Sequence, residues 1–128
     1  MINRYLGYGY SKTAAKKKAS TISAVPGTSE HQLGLAFDIV DSSYTKLNYD
    51  QAKTDTQKWL MKNSWKYGFN LRYPTGKSEI TGIIYEPWHY RYVGLELAKE
   101  LYDRDVCLEE YFAELTEQQT ARRTAMQQ

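Results

Sequence analysis

The sequence predicts one domain that mixes helices with short strands. At 128 residues the chain can bury a single hydrophobic core but not two. Segments of period-two apolar alternation are interspersed with segments of helical spacing, and Pro74 and Gly76 form a turn signal between two of the predicted strands. These observations favour a sheet that is at least partly antiparallel, with helices covering it.

The N-terminal part of the chain predicts one short helix followed by a turn. Residues 1–10 show little periodicity, whereas residues 11–20 place helix formers behind a possible serine cap. The three lysines at 16–18 are interpreted as a solvated helix face. A turn is predicted at 24–28, because Pro26 fixes its own φ and Gly27 tolerates positive φ.

A strand is predicted from Leu35 to Val40, with Leu35, Phe37 and Ile39 on an apolar face and Asp38 on the other. His31 precedes it on a predicted loop. The seven-residue spacing would put His31 and Asp38 on opposite faces of one continuous strand. A break at Gly34 would let the histidine fold back over the face that carries Asp38.

The clearest helical pattern covers residues 51–67 and is predicted to pack on the sheet, with Gly68 ending it. Its stripe consists of Ala52, Thr56, Trp59, Leu60, Asn63 and Tyr67. Residues 69–73 and 81–85 are predicted to be antiparallel neighbours across the turn at 74–76.

Pro87 cannot donate a ladder hydrogen bond, so regular pairing should break between Tyr85 and His89. That kink can bring Glu86 and His89 to one cavity, although three residues apart on an unbroken strand they would point oppositely. The alternation resumes over 89–93 until Gly94. Helices are predicted at 95–102 and 108–115, followed by a polar, frayed or disordered tail at 116–128.

The two histidines of the chain, His31 and His89, combine with Asp38 into a candidate metal site. Two imidazoles and one carboxylate, with a position left for water, are the ligand set of a catalytic rather than a structural zinc. Such a zinc lowers the pKa of a bound water to roughly 7, and Glu86 is placed to act as base and then acid. A single histidine is more often a core or surface residue, but here two partial motifs agree.

Several other functions are disfavoured by composition. The formal net charge of +2 gives no strong field, so no nucleic-acid partner is expected. No apolar run approaches the ~18 residues of a membrane span, and the N-terminus lacks the apolar segment of a signal peptide. Cys107 has no cysteine to pair with and lies on a predicted helix without an activating neighbour, so it is interpreted as a packed or capping residue.

The two metal segments resemble the zinc D-alanyl-D-alanine carboxypeptidases of the VanY type, a group related to lysostaphin-like peptidases and the hedgehog signalling domain. The residues that carry the resemblance are Ser29-x-His31-x-x-Gly34-x-Ala36-x-Asp38 and Glu86-x-Trp88-His89. Connecting stretches also match, and the similarity extends from about Tyr5 to Phe112.

The resemblance implies an α+β fold in which a small, largely antiparallel sheet carries the zinc site and helices pack on its other side. It implies that His31, Asp38 and His89 hold Zn²⁺ and that Glu86 is the catalytic base. The implied substrate is the peptidoglycan stem peptide or its precursor, which suggests a bacterial, extracytoplasmic location. Cleavage could follow D,D-carboxypeptidase, L,D-carboxypeptidase or endopeptidase specificity, and a non-catalytic module that binds cell-wall peptides remains an alternative.

Family members usually carry, upstream of the first metal segment, a Tyr-Arg-Ser stretch whose arginine meets the substrate carboxylate. No stretch of this chain matches it, so residues 1–115 are expected to be a VanY-type domain without its N-terminal part. Arg72 or Arg91 could replace that arginine, with an ordinary ion pair as the alternative for each. The further candidate substrate contacts are Ser29, Gln32 and Trp88.

Overall fold

The computed structural model describes residues 2–20 and 29–127. Helices and strands follow one another as α1 Ile2–Gly7, α2 Lys12–Ser20, β1 Ala36–Asp38, α3 Asp55–Asn63, β2 Phe69–Leu71, α4 Ser78–Thr81, β3 His89–Tyr92, α5 Leu95–Arg104 and α6 Leu108–Met126. Three short 3₁₀ turns lie at Glu30–Leu33, Tyr49–Lys53 and Ser64–Tyr67. The α+β class predicted from the sequence is confirmed.

The N-terminal residues form two helices rather than one. The helix predicted at 11–20 is confirmed, and Ser11 Oγ accepts a hydrogen bond from the Ala14 amide at 3.3 Å. Residues 1–10, which show little periodicity, also contain a helix, because α1 lies against α2. Packing of α1 against α2 stabilises a helix that the local sequence pattern indicates only weakly. The turn predicted at 24–28 lies outside the described residues.

The sheet is antiparallel and has the strand order β1-β3-β2, so β3 is its central strand. Asp38 lies opposite His89 in one pair, and Asn70 lies opposite Arg91 in the other. The predicted pairing of 69–73 with 81–85 is wrong, because Ser78–Thr81 is helical and β2 pairs with β3. A short apolar run such as 81–85 does not by itself distinguish a strand from other buried chain.

Alternation along the strands gives the sheet one polar and one aromatic face. Asp38, His89 and Arg91 share the polar face. On the other face the Phe69 ring lies 6.0 Å from Phe37 and 5.3 Å from Tyr92, measured between centroids. The alternation predicted for β1 is therefore confirmed, although Phe37 stays half exposed.

The segment predicted as one helix over 51–67 is divided into a 3₁₀ turn, α3 and a second 3₁₀ turn, with Thr54 capping α3. Gly68 ends it with a φ of +83°, as predicted. The predicted apolar stripe is wrong, since Trp59 and Tyr67 are half exposed and Gln57 is buried. The Gln57 amide donates to the Ile39 carbonyl and accepts from the Tyr90 hydroxyl, so α3 turns a polar side chain inward.

The C-terminal helices complete the core. Ala98 and Leu101 of α5 are buried, and buried Cys107 caps α6, as predicted for that cysteine. The structure continues α6 to Met126, through the residues for which the sequence predicts a tail. Those residues are exposed, and their Ala, Glu, Gln and Arg content favours a helix without burial. The domain boundary at 115 stays a prediction.

None of the helices within residues 2–20 and 29–127 has the length and apolar character that a bilayer crossing requires.

Candidate metal centre

His31 lies in the 3₁₀ turn Glu30–Leu33, which its flanking residues define. Ser29 Oγ accepts a hydrogen bond from the His31 amide at 3.4 Å, and Gly34 ends the turn with a φ of +68°. The predicted break at Gly34 is thus confirmed, and a residue with a Cβ would be strained there. Ser29 acts on the turn backbone, while Gln32 is exposed beside it.

The three predicted metal ligands lie together on the polar face of the sheet. Asp38 ends β1 and His89 begins β3 directly opposite it, so the register alone makes them neighbours. Asp38 Oδ1 lies 3.4 Å from His31 Nε2 and 3.4 Å from His89 Nδ1. One ligand atom from each of the three residues lies within 4.8 Å of the others.

The two 3.4 Å distances from Asp38 Oδ1 fit zinc. Zinc bonds of about 2.0–2.2 Å in a tetrahedron separate neighbouring ligand atoms by roughly 3.3–3.6 Å. The imidazole nitrogens that face away from the site are also engaged. His31 Nδ1 lies 3.0 Å from the Ala36 carbonyl, which can only accept, so Nδ1 carries the hydrogen and Nε2 is left free to bind metal.

Glu86 lies beside the three ligands because the chain turns at Pro87 and Trp88. The His89 amide donates to the Glu86 carbonyl at 3.1 Å, and Glu86 Oε2 lies 3.3 Å from His89 Nδ1. The predicted kink is confirmed. Glu86 is buried, as is Trp88, whose carbonyl accepts from the Ile39 amide. The buried Glu86 carboxylate thus lies next to the same His89 nitrogen that faces Asp38.

Charged neighbours at the site shift the pKa values of His89 and Glu30. Burial opposes a charge on His89, but hydrogen bonds to Glu30 and Glu86 outweigh it and raise the pKa of His89 to about 9. Burial likewise opposes ionisation of Glu30, yet His89 and Arg72 together lower the pKa of that carboxyl to about 2. In the metal-free protein His89 is therefore an imidazolium among carboxylates at neutral pH, and a metal replaces its Nδ1 proton.

The two candidate substrate arginines differ. Arg72 donates to Glu30 at 2.6 Å and to both oxygens of Glu109 at 2.6 and 2.8 Å, which favours the ion-pair alternative for it. Arg91 lies on the site face, with one terminal nitrogen 3.9 Å from Glu30 Oε2. Among the described residues, Arg91 Nε and Asn70 Oδ1 are buried without a hydrogen-bond partner. All three nitrogens of Arg72 are therefore hydrogen-bonded, whereas Arg91 Nε has no partner among the described residues.

Sequence reasoning missed the role of Glu30 and Glu109. Glu30 stands inside the first motif, next to His31, but nothing local indicates that its carboxylate meets a histidine 59 residues further on. Glu109 meets Arg72 across 37 residues. Contacts of this kind depend on tertiary structure, and only the position of Glu30 within the motif could have drawn attention to it.

The candidate site combines two imidazoles and one carboxylate with a second, buried carboxylate beside them. Metal-dependent hydrolases use sites of this kind. The family model that describes VanY, D-alanyl-D-alanine carboxypeptidase, matches residues 5–95. The chain belongs to this family.

A D-alanyl-D-alanine carboxypeptidase of Enterococcus faecalis is 50% identical over 111 residues, which are 86% of this chain and 39% of that protein. The solved structure of VanYB in complex with D-alanine-D-alanine superposes with a TM-score of 0.77 at 47% identity, covering 88% of this chain and 59% of that one. A variant of the D,D-pentapeptidase VanY in complex with Zn(II) gives 0.74 at 48% identity, covering 87% and 60%.

The LdcB LD-carboxypeptidase, a structure concerned with peptidoglycan recognition, gives a TM-score of 0.73 at 48% identity and covers 79% of this chain and 48% of that one. The chain therefore spans between 39% and 60% of the length of these proteins, which is less than two thirds of each.

Proposed function

We propose that this chain is a zinc-dependent carboxypeptidase that hydrolyses the terminal D-alanine of peptidoglycan stem peptides or their precursors. One observation carries the proposal: Asp38 Oδ1 lies 3.4 Å from a nitrogen of each histidine, with buried Glu86 beside them. His31 Nε2, Asp38 and His89 Nδ1 would hold the zinc.

When bound, zinc supplies a Lewis acid for the scissile carbonyl and the attacking water. Glu86 takes a proton from that water as its oxygen adds to the carbonyl carbon. The same carboxyl then gives the proton to the amine nitrogen of the departing D-alanine, so the C–N bond breaks, the shortened peptide ends in a new carboxyl group and D-alanine leaves with a free amine. Burial of Glu86 keeps this proton from exchanging freely with solvent.

Arg91 is the best-placed described cation for the substrate's terminal carboxylate. It lies on the site face, its side chain is 19% exposed, and its Nε is buried without a partner. A guanidinium can meet a carboxylate with two parallel hydrogen bonds. Trp88, buried below the site, would act by packing rather than by direct contact.

The substrate proposal is supported by the relatives. VanYB binds D-alanine-D-alanine, which favours D,D-carboxypeptidase activity. LdcB is an LD-carboxypeptidase with nearly the same sequence identity to this chain, 48% against 47% for VanYB, so L,D specificity is the second candidate. Either substrate belongs to the cell wall, and we infer an extracytoplasmic site of action.

The test incubates the zinc-loaded chain with a stem pentapeptide, a tetrapeptide and a cross-linked dimer, and reads the products by mass spectrometry. Loss of one alanine from the pentapeptide supports D,D specificity. Loss from the tetrapeptide alone supports L,D specificity, and cleavage of the dimer alone supports an endopeptidase. A folded, zinc-replete chain that cleaves none of them would contradict the proposal and leave a cell-wall binding module.

A further inference from the structure

The carboxylate of Glu30 contacts His89 on the side of the imidazole ring that faces away from the candidate metal site. The Nδ1 atom of His89 faces Asp38 and Glu86, whereas its Nε2 atom lies 3.4 Å from Glu30 Oε2. The side chains of Glu30 and His89 are 17% and 7% exposed, so little water competes for this contact. Because the two nitrogens point to opposite sides of the ring, Glu30 approaches His89 from outside the site and is not a fourth ligand.

Glu30 is itself held in place from outside. Arg72 Nε donates to Glu30 Oε1 at 2.6 Å, while the two terminal nitrogens of Arg72 donate to Glu109 on α6. The Arg72 side chain is 11% exposed and lies 4.7 Å from the Tyr73 ring. The Tyr73 ring in turn lies 4.9 Å from that of His89. The Arg72 guanidinium thus occupies one oxygen of Glu30, and the other oxygen meets His89 Nε2 at 3.4 Å, with the nearest Arg91 nitrogen 3.9 Å from it.

We propose that Glu30 is a positioning residue for His89, and that Arg72 and Glu109 fix Glu30 in a chain of contacts from α6 to the metal centre. The inference rests on the proposed function only in requiring zinc at His31, Asp38 and His89. A carboxylate behind a ligand histidine fixes the tautomer, orients the ring and makes the ligand nitrogen more basic. Loss of such a partner typically weakens metal binding about 10- to 100-fold.

The first variant is Glu30→Gln, which keeps the shape of the side chain and removes its charge. Its zinc dissociation constant is measured by competition with a chromophoric chelator, and the tautomer of His89 in the zinc-loaded protein is read from imidazole ¹⁵N shifts. We expect zinc binding to weaken about 10- to 100-fold and the Nε2 shift to move. Unchanged affinity and unchanged shifts would overturn the proposal. A change of shift distinguishes positioning of His89 from a general loss of stability.

The second pair of variants tests the contacts behind Glu30. Glu109 and Glu110 are neighbours on α6, and each binds a cation from the β2–β3 connection with both oxygens, but Glu110 binds Lys77, which does not contact Glu30. Glu109→Gln should weaken zinc binding severalfold, and Glu110→Gln should not. Gln at 110 still suits the capping box, so this control keeps the helix start. Equal effects of the two variants would remove Arg72 and Glu109 from the proposal.

These measurements separate the two proposals. Wild-type protein that fails to bind zinc contradicts the metal site and this inference together. Wild-type protein that binds zinc but cleaves no peptide contradicts the proposed function alone, and the affinity of Glu30→Gln still decides whether Glu30 positions His89.

Discussion

At the residue scale, the site places several carboxylates within hydrogen-bonding distance of His89, each in a different position around it. Asp38 lies between the two histidines, Glu86 touches His89 from inside the site, and Glu30 touches it from outside. The place of each carboxylate around His89 follows from the position of its backbone. Asp38 is fixed by strand register and Glu86 by the turn at Pro87, and both meet Nδ1 of the imidazole. Glu30, in the turn before β1, meets Nε2 instead.

Glu86→Gln should separate chemistry from metal binding. The amide cannot take a proton from water, so kcat should fall about 10²- to 10⁴-fold while one zinc per chain is retained. Zinc content and steady-state release of D-alanine are measured on the same sample. Glu79→Gln, a change on exposed α4, is the matched control. A Glu86→Gln protein that has lost its zinc would make Glu86 a ligand instead of a base.

The raised pKa of His89 predicts a pH dependence in the metal-free protein. Its pKa rises from 6.5 to about 9 on folding, so the folded state binds the proton more tightly. The resulting stabilisation is fully present below pH 6.5 and is lost as the pH rises through about 9.

Urea unfolding in EDTA from pH 6 to 10 measures this effect as the difference between wild type and His89→Gln. The difference should shrink across the interval. Excess zinc should reverse the trend, because the metal binds the deprotonated imidazole. A difference that does not vary with pH in EDTA would contradict the assigned shift.

At the element scale, the 3₁₀ turn before β2 ends at a glycine that the sheet requires for two reasons. Gly68 has a φ of +83°, and a Cβ there would lie 2.7 Å from Tyr92 Cε2 and 3.2 Å from the Gly94 carbonyl carbon. Gly76 has a similar φ of +76° but open space around it. The two glycines therefore separate backbone strain from close approach.

Gly68→Ala should destabilise the protein more than Gly76→Ala does. A left-handed alanine costs roughly 1–2 kcal/mol at either position, and overpacking against β3 adds about 1–3 kcal/mol at Gly68 alone. Unfolding free energies from urea titration give the comparison. Equal losses for both variants would mean that Tyr92 moves aside without cost.

Local signals predicted the elements that backbone chemistry determines and missed those that tertiary contacts determine. Breaks in regular secondary structure were predictable at three positions, because a glycine or a proline enforces each of them: Gly34, Gly68 and Pro87. The strand expected at 81–85 was not a strand, because its apolar residues are compatible with a helical turn and loop. Nor did the apolar pattern of residues 51–67 reveal that Gln57 would face inward, since its partner is a backbone carbonyl 18 residues earlier.

At the scale of the whole molecule, the sheet separates polar side chains from aromatic ones. The polar face of the sheet carries the candidate ligands, and the aromatic face carries Phe37, Phe69 and Tyr92. Sequence motifs could predict that the candidate ligands lie close together, because strand alternation and two forced breaks bring them there. They could not identify the contact from Glu109 through Arg72 to Glu30, which joins α6, the end of β2 and the first motif.

The central claim is that His31, Asp38 and His89 form one zinc site, and metal content tests it most directly. Wild-type protein, His89→Ala and an Asp50→Ala control are purified, loaded with zinc and dialysed, and zinc per chain is measured by atomic emission. Asp50 is exposed and distant in sequence from the ligands, so its variant should match wild type at one zinc per chain. His89→Ala should retain far less than one. Full stoichiometric zinc in folded His89→Ala would contradict the site.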